Sequence, residues 1–154
     1  MQTKPAVGWS RWQRLRAELV LVGLLVACGS PARPATTTAG PATVAVQLNS
    51  FSVKPNIVTV QAGTITFNIN NVAKDDAHEF VVIYTQLPPD QLPVGSDKMV
   101  DEAAVTVVAQ APGIDPGKAG QVIANLYAGQ YVIICNRPDH YKQGMHAAFT
   151  VLPR

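Results

Sequence analysis

Between residues 43 and 152 the chain is written in short runs with an apolar residue at every second position, separated by turn-forming residues. Val44, Val46 and Leu48 alternate with small or polar neighbours, and Ile65, Phe67 and Ile69 repeat the pattern after the turn signal Gln61-Ala62-Gly63. A period of two puts one set of side chains on one face of a strand, so each run predicts a strand with a buried face. The β-branched residues 56–60 predict another strand, and residues 78–84 (HEFVVIY) are apolar enough to lie inside a sheet. Residues 105–109, 118–125, 130–136 (QYVIICN) and 147–152 complete about eight strands, with turns expected at Pro112-Gly113, Pro116-Gly117 and Ala128-Gly129. Residues 85–102 break the alternation with Pro88, Pro89, Pro93 and Gly95 and read as an irregular insertion with room for a short helix. Many short strands, frequent turns and no long helical period predict an all-β antiparallel sandwich or barrel. There is no internal repeat. The 113 residues from Ala42 onward suffice for a core without disulfides.

The first forty residues follow a different pattern. Lys4, Arg11, Arg14 and Arg16 precede an apolar run over residues 19–27 that ends at Cys28. Nine apolar residues are too few to span a bilayer, which takes about 20; a basic stretch, a short apolar stretch and small residues predict an export signal over residues 1–27. Leu25-Val26-Ala27-Cys28 resembles the lipobox of bacterial lipoproteins and implies that Cys28 becomes a lipidated first residue. Residues 28–41, the lipidated Cys28 and a Pro-, Ala- and Thr-rich linker, then lead to a domain over 42–154. This reading changes the charge. The whole chain carries +2, but removal of residues 1–27 leaves 8 positive and 9 negative side chains and no tryptophan, which gives no basis for nucleic-acid binding.

With Cys28 consumed by the lipid, Cys135 is the one thiol of an exported domain and has no disulfide partner. It ends an apolar strand and is followed by NRPDHYKQGM, which sets His140 five residues on and Met145 five further. A thiolate, an imidazole and a thioether therefore share one loop between two strands. Soft sulfur ligands with imidazole select copper, and two histidines, a cysteine and a weak axial methionine form an electron-transfer set. The remaining histidines are His78, at the mouth of an apolar strand, and His146, adjacent to Met145. Neighbouring residues in extended chain face opposite ways, so a metal-facing Met145 turns His146 outward, and the reading favours His78.

The Cys-x4-His-x4-Met loop before the last strand, with a lone upstream histidine, resembles the cupredoxin family, and its spacing is similar to that of auracyanin and rusticyanin. The resemblance extends over about residues 43–152. It implies a Greek-key β-sandwich holding one type 1 (blue) copper on His78, Cys135, His140 and Met145, and a one-electron carrier rather than an enzyme. It further implies redox proteins of a respiratory or photosynthetic chain as partners and a monomer, while the lipobox-like residues at Cys28 imply attachment to the outer side of a membrane through the lipid. Pro138, Tyr141 and Gly144 are expected to crowd around His140, whose edge would be the electron port. Two positions depart from the family pattern: Asp139 stands where many relatives have glycine, and Glu79 where a small polar residue is common. An extracytoplasmic copper-delivery protein with the same ligands is the alternative function.

Overall fold

The computed structural model describes residues 41–154; the expected signal, the lipidated Cys28 and nearly all of the linker lie outside the described residues. Nine strands form two sheets. In chain order they are β1 (Ala42–Asn49), β2 (Ser52–Pro55), β3 (Thr59–Gln61), β4 (Gly63–Asn71), β5 (His78–Tyr84), β6 (Thr106–Ile114), β7 (Ala119–Leu126), β8 (Gly129–Ile134) and β9 (His146–Leu152). One sheet has the order β2-β1-β4-β7 and the other β3-β9-β8-β5-β6.

The alternation does what its period requires. Val44, Val46 and Leu48 of β1, Ile65, Phe67 and Ile69 of β4, Phe80 and Val82 of β5, and Phe149 and Val151 of β9 meet in one core between the sheets. Phe67 centres it, with its ring 5.2 Å from Phe80 and 5.5 Å from Phe149, tilted and edge-on.

Three features differ from the sequence expectation. The sheets are mixed: β1 runs parallel to β4 and β3 parallel to β9. Period two fixes which face a residue occupies but is silent on the direction of the neighbouring strand. The strand expected over 56–60 shrinks to β3, because Asn56 serves the other sheet: its N–H donates to the carbonyl of Ala45 and its side-chain oxygen accepts from the Ala45 N–H. Pro112-Gly113 is no turn but the end of β6. That strand is a sheet edge, where a proline's missing N–H costs no ladder bond.

The insertion over 85–102 is ordered by a second, smaller apolar cluster. Strands β5 and β8 are buried on both faces. Phe80, Val82, Tyr131 and Ile133 point into the main core, while Val81, Ile83, Val132 and Ile134 point outward and are covered by Leu92, Val100 and Tyr141. In place of a short helix within 85–102, the described residues hold a single 3-10 turn at its end, Glu102–Ala104, capped by the Asp101 carboxylate accepting from the Ala103 N–H.

Candidate metal centre

His78 opens β5, Cys135 directly follows β8, and Met145 directly precedes β9. Because β5 pairs with β8 and β8 with β9, the sheet brings the ends of all three strands to one end of the sandwich. Between Cys135 and Met145 the chain loops out and returns. The Cys135 N–H donates to the Met145 carbonyl at 3.1 Å, and the Met145 N–H to the His140 carbonyl at 3.1 Å. Asp139 takes a left-handed backbone (φ 68°), as only Phe51 and Lys98 do among the other described non-glycine residues, and aspartate tolerates that region better than most residues. Gly144 takes φ 107°, a backbone conformation that residues with a Cβ rarely adopt, as the loop returns past the Phe51 carbonyl.

The loop and β5 bring three donor atoms together. The Nδ1 atoms of His78 and His140 lie 3.3 Å apart, and the Cys135 sulfur lies 3.8 Å from the first and 3.5 Å from the second. These sides define a near-equilateral triangle. A point equidistant from its corners lies about 2.1 Å from each, the range of metal bonds to imidazole nitrogen and near that to thiolate sulfur. The donor set therefore fits an ion the size of copper without rearrangement.

Burial shapes the protonation of these groups. His78 is fully buried and its Nε2 makes no hydrogen bond. Desolvation, then the neighbouring His140, pushes its pKa below the ordinary imidazole value; His140 is pushed down chiefly by burial as well. Both shifts favour the neutral ring, the form that ligates. The Cys135 thiol is pushed up by burial, opposed by hydrogen bonds from backbone N–H groups of Glu79 and Arg137. The Glu79 N–H reaches the sulfur at 3.3 Å. With copper bound, Cys135 would ligate as the thiolate, and these amides would donate to it. Met145 is fully buried in the main core, against the same strand ends.

Three expectations for neighbouring residues resolve as follows. His146 is absent from the triangle; its ring packs on Tyr141, 5.4 Å between centroids. Tyr141 does not crowd around His140 at the surface but turns inward. Its hydroxyl accepts from the Leu92 N–H at 2.8 Å and donates to the Pro89 carbonyl at 2.8 Å. The ring beside His140 belongs instead to Phe51, half exposed at the β1–β2 turn, with centroids 6.3 Å apart. Glu79 contributes to the sulfur through its backbone, so its departure from a small polar residue leaves that contact in place.

Asn136 went unnoticed in the sequence. It is buried beside Cys135; its side-chain oxygen accepts from the Val100 N–H at 2.7 Å, and its amide donates to the Val100 carbonyl and the Glu102 carboxylate. It fastens the insertion to the ligand loop. Lys98 does so at the surface, through its carbonyl to the Asp139 N–H and its ammonium to the Asp139 carboxylate.

Comparison with known proteins agrees with this site. Residues 41–152 match the copper binding proteins of the plastocyanin/azurin family. No curated protein sequence matches the chain. Among solved structures, the reduced auracyanin of Roseiflexus castenholzii is similar at 24% identity and TM-score 0.57, covering 74% of this chain and 100% of that one. Auracyanin A of Chloroflexus aurantiacus follows at 21% and 0.53, covering 73% and 99%. Rusticyanin of Thiobacillus ferrooxidans matches at 21% and 0.52, covering 73% and 79%. At these identities the likeness shows the fold, and the family match together with the donor triangle shows the site. The chain belongs to the plastocyanin/azurin family of copper-binding proteins, non-enzymatic electron carriers, and its type 1 copper site is His78, Cys135, His140 and Met145.

Proposed function

We propose that the protein is a monomeric, lipid-anchored carrier that moves single electrons between redox proteins of a respiratory or photosynthetic chain at the outer face of a bacterial membrane. The observation that carries the reading is the unequal burial of the ligands. His78, Cys135 and Met145 are fully buried, and His140 alone is partly exposed. Copper bound here supplies a one-electron couple, Cu(II)/Cu(I). The protein's part is to hold the donors in one geometry for both states and to keep water and substrates from the metal. His140 offers the short path to a partner, with Phe51 as an apolar contact beside it.

Export and anchoring rest on the basic and apolar leader and the lipobox-like residues ending at Cys28. A respiratory or photosynthetic partner is supported by the auracyanin likeness, since that Roseiflexus protein comes from a photosynthetic bacterium. The test is to load the purified protein with Cu(II) and record its visible and EPR spectra, its reversible potential and its electron self-exchange rate. Intense visible absorption with fast exchange and retained metal supports the carrier. Rapid transfer of the copper itself to a chelating acceptor would instead establish delivery. Cys28→Ala should abolish lipidation and release the protein from the membrane or hold it there as an uncleaved precursor.

A further inference from the structure

Strand directions give the sandwich two unlike ends. One carries the copper ligands. The other, seven residues along β5 and so roughly 20 Å away at about 3.3 Å per residue, is formed by Tyr84, the β7–β8 turn, the start of β4 and the end of β9. The β7–β8 turn exposes Tyr127 at 77%, and Tyr84 beside it is 41% exposed. They form one aromatic patch: Tyr84 packs edge-on against Tyr131 at 5.3 Å, and the Tyr131 hydroxyl donates to the Tyr127 carbonyl. Leu152 adds exposed apolar surface on the same end.

Carboxylates are divided the same way. Asp75, Asp76, Glu79, Asp115 and Asp139 lie at the copper end, interspersed with Lys74, Lys118, Arg137 and Lys142, and Asp90, Asp97, Asp101 and Glu102 lie on the insertion with Lys98. No carboxylate side chain stands on the segments 61–63, 84–87, 126–129 or 151–154 that make up the far end, which carries Arg154. The chain enters there as well: Ala42 pairs with Ile65 in β1–β4, at the end of that sheet where Gly63 meets Leu126.

From these three observations we propose that the copper-distal end is a membrane-contacting surface, with Tyr127 and Tyr84 seated at the lipid interface and His140 directed away from it. The proposal rests on the anchored reading above. The described chain begins on the side of the patch, so on the anchored reading a lipid at Cys28 tethers the domain from that side. Tyrosine, apolar in its ring and polar at its hydroxyl, favours the interfacial layer. A patch this small would not recruit a free protein. A tethered one meets the membrane at high effective concentration, and modest contacts then decide its orientation. The absence of carboxylate side chains spares this end repulsion from anionic lipid headgroups, while the end that holds both carboxylates and cations is left facing redox partners.

The removal of residues 1–27 takes both tryptophans, so single reporters can be introduced. Tyr127→Trp reports the patch. Val72→Trp reports the copper end, where half-exposed Val72 donates its N–H to Leu48. Both variants are purified from membranes with their lipid, copper-loaded and reduced. They are then reconstituted on vesicles of phosphatidylcholine and phosphatidylglycerol, with or without bromine on the acyl chains. Bromine should reduce Tyr127→Trp emission about twofold and leave Val72→Trp unchanged, because only an interfacial side chain lies close to the acyl chains. If both proteins float with the vesicles but Tyr127→Trp is not quenched, or both are quenched equally, the orientation is wrong and the anchor stands. If neither floats and Cys28 carries no lipid, the anchored reading falls and takes the orientation with it.

Discussion

Three of the copper ligands and the fourth are held by different parts of the molecule. His78, Cys135 and Met145 sit at the ends of paired strands, fully buried, with Cys135 and Met145 in the same core as Phe67 and Phe149. His140 stands out on the loop, and the residues that fix it lean outward, onto the small cluster under the insertion: Tyr141 against Pro89 and Leu92, Asn136 against Val100. The first three are placed by the fold itself. The fourth is placed by polar fastenings between two loops. A site open enough to pass electrons needs one ligand near solvent, and that ligand must be kept rigid by something other than the core.

The comparison can be broken most completely at the core side. Cys135→Ser removes the thiolate and should abolish the intense visible band entirely, even where copper still binds; a persisting band would show that another residue supplies the colour. Next comes the loop ligand. His140→Ala should keep the fold and bind copper in an opened site, slow self-exchange by at least an order of magnitude, on the scale of the loss seen when a metal shell is disturbed, and accept added imidazole. Rates that imidazole does not restore would point to damage beyond the missing ligand.

Met145→Leu tests the third buried ligand more gently. Leucine conserves volume in the core, so folding should cost under about 1.5 kcal/mol, the colour should remain, and the potential should move upward as a donor to Cu(II) is lost. An unchanged potential measured by voltammetry would remove Met145 from the ligand set. Tyr141→Phe sharpens the loop side: the Leu92 N–H and Pro89 carbonyl lose their shared partner, at about 1–3 kcal/mol in urea unfolding, and the EPR lines should broaden as His140 gains freedom. Smallest is Lys98→Ala. The Lys98–Asp139 pair is largely exposed and should contribute no more than about 1 kcal/mol, since the backbone bond from Asp139 to Lys98 persists; a large loss would mean that the surface pair, not Tyr141 and Asn136, holds the loop.

The same division governs how much was legible in the sequence. Core positions declare themselves by alternation, which is why Val44 to Leu48, Ile65 to Ile69 and the strand at His78 could be placed. The ligands on the loop declare themselves by residue type and spacing, since nothing in ordinary packing calls for Cys, His and Met at intervals of five. The parallel pairing of β1 with β4 was hidden, because a strand's faces do not encode its neighbour's direction. Asn136 was hidden for another reason: an asparagine after an apolar strand is unremarked until Val100, 36 residues earlier, comes within hydrogen-bonding distance. The insertion lacks periodicity because prolines and backbone acceptors, rather than a repeating face, fit it to β5 and β8.

The hydrogen bond from the Glu79 N–H to the Cys135 sulfur has an evolutionary consequence. A donor that belongs to the main chain is inherited with the strand and survives every substitution at its position except proline. Position 79 is therefore free to drift in size and charge without surrendering its hold on the sulfur. Its carboxylate, pushed above the usual range chiefly by burial, can be tuned by mutation for reasons unrelated to that bond. Redox properties that depend on the amide are buffered against such change, while those that depend on local charge remain adjustable one residue at a time.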